Sequence, residues 1–474
     1  MNFIIRWRIY MDKKNTKYNY MLSLIGFSLL FAYILSFQFE GQVLYGILET
    51  NNLEPSLYIQ MSIVFHFFGL VFAGKRVKST VTAKTSMIVS MGIILLVSIP
   101  FLLSMTKLFL VSLMISGFAS GLAVASWGYI LKYTSQGNMR LKVCADLLII
   151  SNIVMIGIDV LSLKTSSIIG LLASMGILLF SSLFISKVEL HNIKPNPIRE
   201  RGINKPLLIL AVFVFIVTIN SGLMYQVVNP SFANLRNLTT WYWAIPYIVA
   251  ILLLRNLPTS IKRARILYVG IFMVMASFIL FMLLGRGSLD YIIIDTLMLG
   301  AFGVFDLFWW SILAEMVDLT DNPARVFGLG LAANVFGVLT GGAIGIGIES
   351  LGIGGAEVTV IALSIVCITL VMLPPLNHQL VMLLKNHSYL MVYENSSSNQ
   401  QNSIISSIKT LDPLTIREQE VLDHILSGES NKYIAKALSI SESTVKTHTR
   451  NIFSKYDVES RAELISTILK NQYK

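Results

Sequence analysis

The sequence predicts an all-α protein in two parts. A polytopic membrane bundle of about twelve helices, six and six, precedes a small cytoplasmic domain of four short helices. Three observations predict this. Of 474 residues, 54% are hydrophobic and only 13% are charged, whereas a soluble domain carries about 25% charged residues. Apolar runs long enough to cross a bilayer, which takes about 20 residues, recur from residue 20 to residue 376. From residue 411 the pattern changes to short amphipathic stretches, each opened by a capping residue.

Residues 1–19 form a basic N-terminus expected on the cytoplasmic side. The opening MNFIIRWRIYMDKKNTKYNY has no small-residue cleavage site ahead of a polar domain, so it does not read as a signal peptide. Met11 offers a second candidate start. Spans are expected near 20–39, 56–74, 85–105, 108–131, 143–163, 165–186, 206–228, 240–254, 266–284, 289–313, 326–349 and 356–376. The eighth, from Thr240 to Leu254, is short unless Leu238 and Thr239 join it.

The loops give an independent check, because cytoplasmic loops are rich in Lys and Arg. With the N-terminus inside, the inner side collects Arg6, Arg8, Lys13, Lys14 and Lys17, then Lys75, Arg76, Lys78 and Lys84, then Lys132, Arg140 and Lys142. The central loop and the later inner loops continue the pattern. The outer side receives only Lys107, Lys164, Arg236 and Arg286, and its first loop is acidic, with Glu40, Glu49 and Glu54. Miscounting by one span would scramble this alternation. Both termini are therefore expected in the cytoplasm, and much of the net charge of +11 has a topological reading.

The longest inner loop before the tail, Ser186–Pro206, divides the spans six and six. Two six-helix halves joined by a basic loop resemble the major facilitator superfamily. The resemblance covers residues 20–376 and is architectural. That family's loop after the second span combines glycines, an Asp and a basic pair; GLVFAGKRVK keeps Gly69, Gly74, Lys75, Arg76 and Lys78 but has no Asp. The same stretch imitates a phosphate loop, yet Arg76 stands where Ser or Thr must hold magnesium. Nucleotide binding is not expected there.

Ionisable residues within a span are costly and point to function. Asp295 and Asp306 share a face of the tenth span, and Asp159 shares one with Asn152 in the fifth. His66 lies in the second. Two readings stay open: a polar cavity between the halves that takes a small solute or a proton, or local satisfaction of each group by packing. Asp146 is expected at the inner interface. Gly117-x-x-x-Gly121 and Gly337-x-x-x-Gly341-x-x-x-Gly345 are close-packing faces. Cys144 and Cys367 lie apart in apolar runs, which fits two small buried side chains rather than a disulfide or a metal site. No catalytic constellation is recognisable; no enzymatic activity, cofactor or metal is expected.

Residues 377–410 read as a juxtamembrane segment and then a flexible linker, NSSSNQQNS. In residues 411–474, Thr415–Glu418 forms a capping box before Val421, Leu422, Ile425 and Leu426. Gly428 stops that helix. A second helix at about Asn431–Leu438 buries Ile434, Ala435 and Leu438. After a turn at Ser439-Ile440, Ser441 caps a third helix, about Glu442–Tyr456, with Val445, Ile452 and Thr449 inward. Ser460–Glu463 starts a fourth, whose apolar side is Leu464, Ile465, Ile468 and Leu469. Lys446, Thr447 and Arg450 fall together on the outer side of the third helix, suited to base edges in a major groove. Asn431, Lys432, Thr444, Asn451 and Lys455 flank them as candidate phosphate contacts. The segment holds as many acidic as basic residues, so its charge alone would also fit a solvated face.

The motifs LTIREQEVL, Gly428, Ser430-Asn431-Lys432, Ile434-Ala435, Leu438, ISESTVKTH, Asn451-Ile452, Lys455, Val458 and Arg461 together resemble the LuxR/NarL-type helix-turn-helix domain over residues 411–474. Tyr456 departs from the pattern, which has an aliphatic residue there. The resemblance implies base reading by Lys446, Thr447 and Arg450, and dimerisation through Ser460–Gln472. The expected whole is a transcriptional regulator embedded in the cytoplasmic membrane, its bundle sensing a small molecule or the state of the membrane. The alternative is an active secondary transporter with an attached DNA reader. The expected partners are DNA, the lipid bilayer, an unidentified small-molecule ligand, a second copy of the chain, and RNA polymerase.

Overall fold

The computed structural model describes residues 2–39, 41–190, 203–257, 263–351, 355–394, 414–456, 458 and 460–470. The linker expected at 395–410 and most of the central loop lie outside these residues. The described chain is helical, without strands. It divides into two compact units, one holding most of the membrane spans and the other holding the C-terminal helices.

Among the described residues, twelve helices are long and apolar enough to cross a membrane, the expected number. Ser79 and Ser166 cap the third and sixth spans by accepting from Thr82 N–H and Ile169 N–H. Glycine lets neighbouring spans touch backbone to backbone. A Cβ at Gly117 or Gly121 would lie 2.3 or 2.2 Å from the carbonyl oxygens of Ser62 and His66; at Gly341 it would lie 2.0 Å from that of Ile219. The small-residue faces thus serve packing of the second span on the fourth and the seventh on the eleventh.

Two spans are interrupted at corresponding places in the two halves. The first runs from a helix ending at Tyr33 into a π-turn, Ile34–Gln38, breaks, and resumes as Gln42–Thr50. The seventh passes from Asn204–Leu223 into a π-turn at Met224–Val228. Such turns within helices gather at functional sites, and paired interruptions in repeat-built membrane proteins lie beside the binding site.

The eighth span differs from its expected bounds. It begins at Pro230, not Thr240, and runs to Arg255 as three helical pieces, Pro230–Leu235, Arg236–Tyr242 and Ile245–Arg255. Pro230 and Pro246 each stand in the first turn of a piece, where a missing N–H costs nothing. The polar start of this span hid it from a hydropathy reading. The helix that begins at Gly355 continues through Pro374 and Pro375 to Glu394, so the juxtamembrane segment extends the twelfth span.

Between residues 414 and 470 the described residues form four helices, Ile416–Leu426, Asn431–Ala437, Glu442–Lys455 and Arg461–Lys470, around their own core. Val421, Leu422, Ile425, Leu426, Ile434, Val445, Ile452, Leu464 and Ile468 are fully buried there. Leu438 packs against the edge of this core; the side chain of Leu469 lies outside the described residues.

Candidate nucleic-acid interface and membrane cavity

In the C-terminal domain, local chemistry sets each helix boundary. Thr415 Oγ1 accepts from Glu418 N–H at 3.2 Å while Glu418 Oε2 accepts from Thr415 N–H at 2.8 Å. Gly428 takes φ 80° to close the first helix. Ser430 caps the second helix and Ser441 the third. Between them Ser439 takes φ 54°, and Ile440 N–H donates to Ala435 O at 2.9 Å. This fixes the turn that sets the third helix against the second.

The third helix buries Val445, Thr449 and Ile452 and exposes Lys446, Thr447, Arg450 and Asn451. These four lie on one stripe, as the 3.6-residue period requires. Glu442 approaches Lys446 at 3.7 Å across a well-exposed turn. Such a surface pair holds the side chain weakly. Lys432 is exposed on the second helix, and Asn431 is half-buried at its start. Thr444, also half-buried, has its hydroxyl 2.7 Å from that of Ser441.

Lys455 departs from its expected phosphate role. Its side chain is 20% exposed, and Nζ donates to Glu418 Oε2 at 2.7 Å. Burial by itself would raise the Glu418 carboxyl. The Lys455 hydrogen bond, the bonds from Thr415 and the Lys455 charge outweigh burial and hold it at about 2, against an ordinary 4.5. Lys455 therefore locks the first helix to the third. Arg461, at the head of the fourth helix, donates to the carbonyl oxygens of Ile425 and Glu429. Arg417 donates to Leu438 O at 2.8 Å. Tyr456 enters the core at 7% exposure, so the family departure is absorbed by packing.

In the membrane unit, a cavity of about 190 Å³ lies between the two halves. The tenth span gives it Leu299, Phe302, Asp306 and Trp310, one face of a helix. The interrupted first and seventh spans give it Leu35, Phe39 and Tyr225, and the broken eighth gives it Trp243 and Tyr247. Tyr247 Oη donates to Asp306 Oδ2 at 2.7 Å. His66 and Asn152 line the same space. His66 Nδ1 is 2.7 Å from Ser120 Oγ, and Asn152 Nδ2 donates to Leu148 O.

Two expected cavity residues lie elsewhere. Asp295 is not among the lining residues; it is buried beside Tyr291, whose hydroxyl donates to it. Eleven residues keep it on the face of Asp306 but about 16 Å away along the axis. Asp159 is also buried away from the cavity, where its carboxylate accepts from Gln42 N–H. Gln42 opens the resumed helix of the first span, whose preceding Gly41 has no capping side chain. Asp159 thus answers one of the unpaired N–H groups of a helix start.

Charge reading undervalued a set of contacts at the end of the bundle that carries the basic loops. Arg140 is 1% exposed; it donates to Asp318 Oδ1 at 2.9 Å and to Ala314 O at 2.6 Å. Arg255 donates to both oxygens of Asp146, at 2.5 and 3.1 Å, and Asn322 Nδ2 to Gly74 O at 2.7 Å. All three join the first half to the second. In the sequence Arg140 and Arg255 look like ordinary loop-end cations, and no local signal pairs them with their acids. At the opposite end a vestibule of about 440 Å³, lined by Glu49, Glu54, Gln60 and Gln226 among others, shares Ile63, Tyr225 and Val338 with the cavity.

Residues 412–468 match the family of bacterial regulatory proteins of the luxR type. The monoamine regulon transcriptional regulator of Klebsiella aerogenes is 55% identical over 53 residues, 11% of this chain and 23% of that protein. The chain thus spans about a quarter of that relative. An outward-facing bacterial homologue of the iron transporter ferroportin matches the membrane fold with a TM-score of 0.59 at 12% identity, covering 76% of this chain and 99% of its own. The major facilitator transporter FucP does so at 0.53 and 13%, with the same coverage. The C-terminal domain is a LuxR-type helix-turn-helix, a domain type that implies DNA binding and hence a cytoplasmic C-terminus, and the twelve-span part has a major-facilitator-like fold.

Proposed function

We propose that this chain is a membrane-embedded one-component transcriptional regulator. Its bundle senses a small molecule in the central cavity, and its C-terminal domain reads DNA in the cytoplasm. The observation that carries the proposal is the joining, in one chain, of a LuxR-type domain presenting Lys446, Thr447 and Arg450 to solvent with a bundle enclosing a cavity between its halves. In this reading Lys446 and Arg450 donate to base edges, Thr447 meets a thymine methyl, and Asn431, Lys432, Thr444 and Asn451 position the backbone. The fourth helix pairs two copies on a two-fold-related site, and RNA polymerase is the downstream partner. The loop charges support cytoplasmic placement of both termini.

A ligand acts only if it binds two arrangements of the bundle unequally. The Arg140–Asp318 and Arg255–Asp146 pairs between the halves are the contacts on which two such arrangements would differ. The test is DNA binding by the full chain in lipid nanodiscs. Salt-dependent, sequence-selective binding that disappears in Lys446→Ala/Arg450→Ala supports the regulator; its absence refutes it.

The vestibule adjoining the cavity also favours a second reading, a secondary transporter carrying a DNA reader. Saturable counterflow of a labelled solute in proteoliposomes distinguishes it, whereas binding without exchange supports the sensor.

A further inference from the structure

We infer that the central cavity selects a small aromatic monocation, an arylalkyl ammonium, that enters from the acidic vestibule; this deepens, and rests on, the ligand-sensing reading above. Among the described residues, Asp306 is the one carboxylate that lines the cavity, and no Lys or Arg joins it. Its carboxylate receives one hydrogen bond, from Tyr247 at 2.7 Å, among the described residues. The residue is only half-buried and lines the cavity, where an occupant meets it. An ammonium donor pairs with such a carboxylate far better inside apolar walls than in water.

The walls supply the second part of the recognition. Tyr225, Trp243, Tyr247 and Trp310 converge on the cavity with Asp306, and aromatic faces attract a desolvated cation. Trp310 is held in place by an edge contact with Phe31 at 5.6 Å and by Trp127 at 6.4 Å, so the box is rigid on that side. A neutral occupant would forgo the charge part of the contact with Asp306, and an anion would be repelled by it.

Size and access narrow the class further. About 190 Å³ equals roughly six water volumes, below the ~300 Å³ at which drug-sized pockets begin. A phenyl ring with a two-carbon ammonium arm is of this scale. The vestibule that shares three residues with the cavity carries Glu49 and Glu54 and, among the described residues, no basic lining residue. Glu49 is partly neutralised by Arg236 at 3.2 Å, while Glu54 has no ion-pair partner among the described residues, so the entrance favours positive charge.

The test uses the full chain in nanodiscs of zwitterionic lipid, with tryptophan fluorescence as the readout, since Trp243 and Trp310 line the site. Three near-isosteric probes are titrated: 2-phenylethylammonium, 2-phenylethanol and phenylacetate. The expected result is saturable binding of the amine, at least tenfold weaker binding of the alcohol, and none of phenylacetate. Asp306→Asn should weaken the amine at least tenfold and leave the alcohol within about twofold. Equal binding of alcohol or phenylacetate, saturation by none of the three, or unchanged amine affinity in Asp306→Asn overturns the inference. Should that variant fail to reconstitute, discrimination between amine and alcohol by the unaltered chain still decides. DNA affinity measured on the same nanodiscs separates the two readings: loss of charge selectivity with intact DNA binding sinks only the ligand class, and the reverse sinks only the regulator.

Discussion

Lys455 Nζ donates to Glu418 Oε2 at 2.7 Å, joining the third helix of the C-terminal domain to the first. Glu418 also completes the capping box with Thr415. One nearly buried carboxylate therefore fixes the start of the first helix and the position of the helix that presents Lys446 and Arg450. Removing Lys455 leaves that carboxylate buried without its cation, held only by Thr415. Lys455→Met should destabilise the domain by about 3 kcal/mol, whereas Glu418→Gln/Lys455→Met should cost less. Denaturant unfolding of residues 403–474, whose core is self-contained, measures both.

The same pair sets an acid limit. The Glu418 carboxyl is depressed from 4.5 to about 2 in the folded domain. Its contribution to stability is fully present above pH 4.5 and is lost as pH falls through about 2. Lys455→Met removes the largest of the effects that depress it, leaving the Thr415 bonds, so the acid-unfolding midpoint followed by circular dichroism should move upward, toward the ordinary carboxylate range.

Lys446→Ala and Arg450→Ala should each weaken binding to a specific site by about 1–3 kcal/mol and relax base preference there. Both side chains are exposed, so circular dichroism should be unchanged. Lys432→Ala should instead weaken binding to all sequences alike and reduce its salt dependence. Fluorescence anisotropy at several salt concentrations distinguishes the two patterns.

Cys144 reports on the clasp between the halves. It is buried, with Sγ 3.5 Å from Trp310 O, close to the Arg140 site. With the exposed Cys367 changed to Ser, Cys144 should resist maleimide. Asp318→Asn/Asp146→Asn removes both carboxylate partners, and labelling should accelerate at least about tenfold, the change expected for losing some 1.4 kcal/mol of closure. An unchanged rate would show that these pairs do not hold that end shut.

Gly341→Val should prevent normal assembly, because its first added carbon would lie 2.0 Å from Ile219 O. Gly92→Ala, where nothing lies within 4 Å, is the matched control. Monodisperse yield in detergent gives the comparison.

The DNA-reading end was legible in the sequence because its determinants are local. Thr415, Ser430, Ser441 and Ser460 cap helices within three residues of themselves, and the apolar spacing assigns the core. The span count was legible because bilayer thickness imposes it. The cavity was only partly so. Asp306, His66 and Asn152 line one space, while Asp159 and Asp295 are buried elsewhere. Periodicity gives the face of a helix but not what stands opposite, nor the depth along its axis. Hydropathy averaging hid the polar start of the eighth span at Pro230. The pairing of Lys455 with Glu418, 37 positions apart, is tertiary, and no pattern within one helix announces it.

The most direct test of the central claim is to cross-link DNA to the chain in intact cells, isolate the membrane fraction, and sequence the DNA recovered with it. The account predicts a small set of discrete sites sharing a two-fold-related motif, all lost in Lys446→Ala/Arg450→Ala. A membrane fraction without enriched sites, or the same sites recovered with the variant, would contradict it.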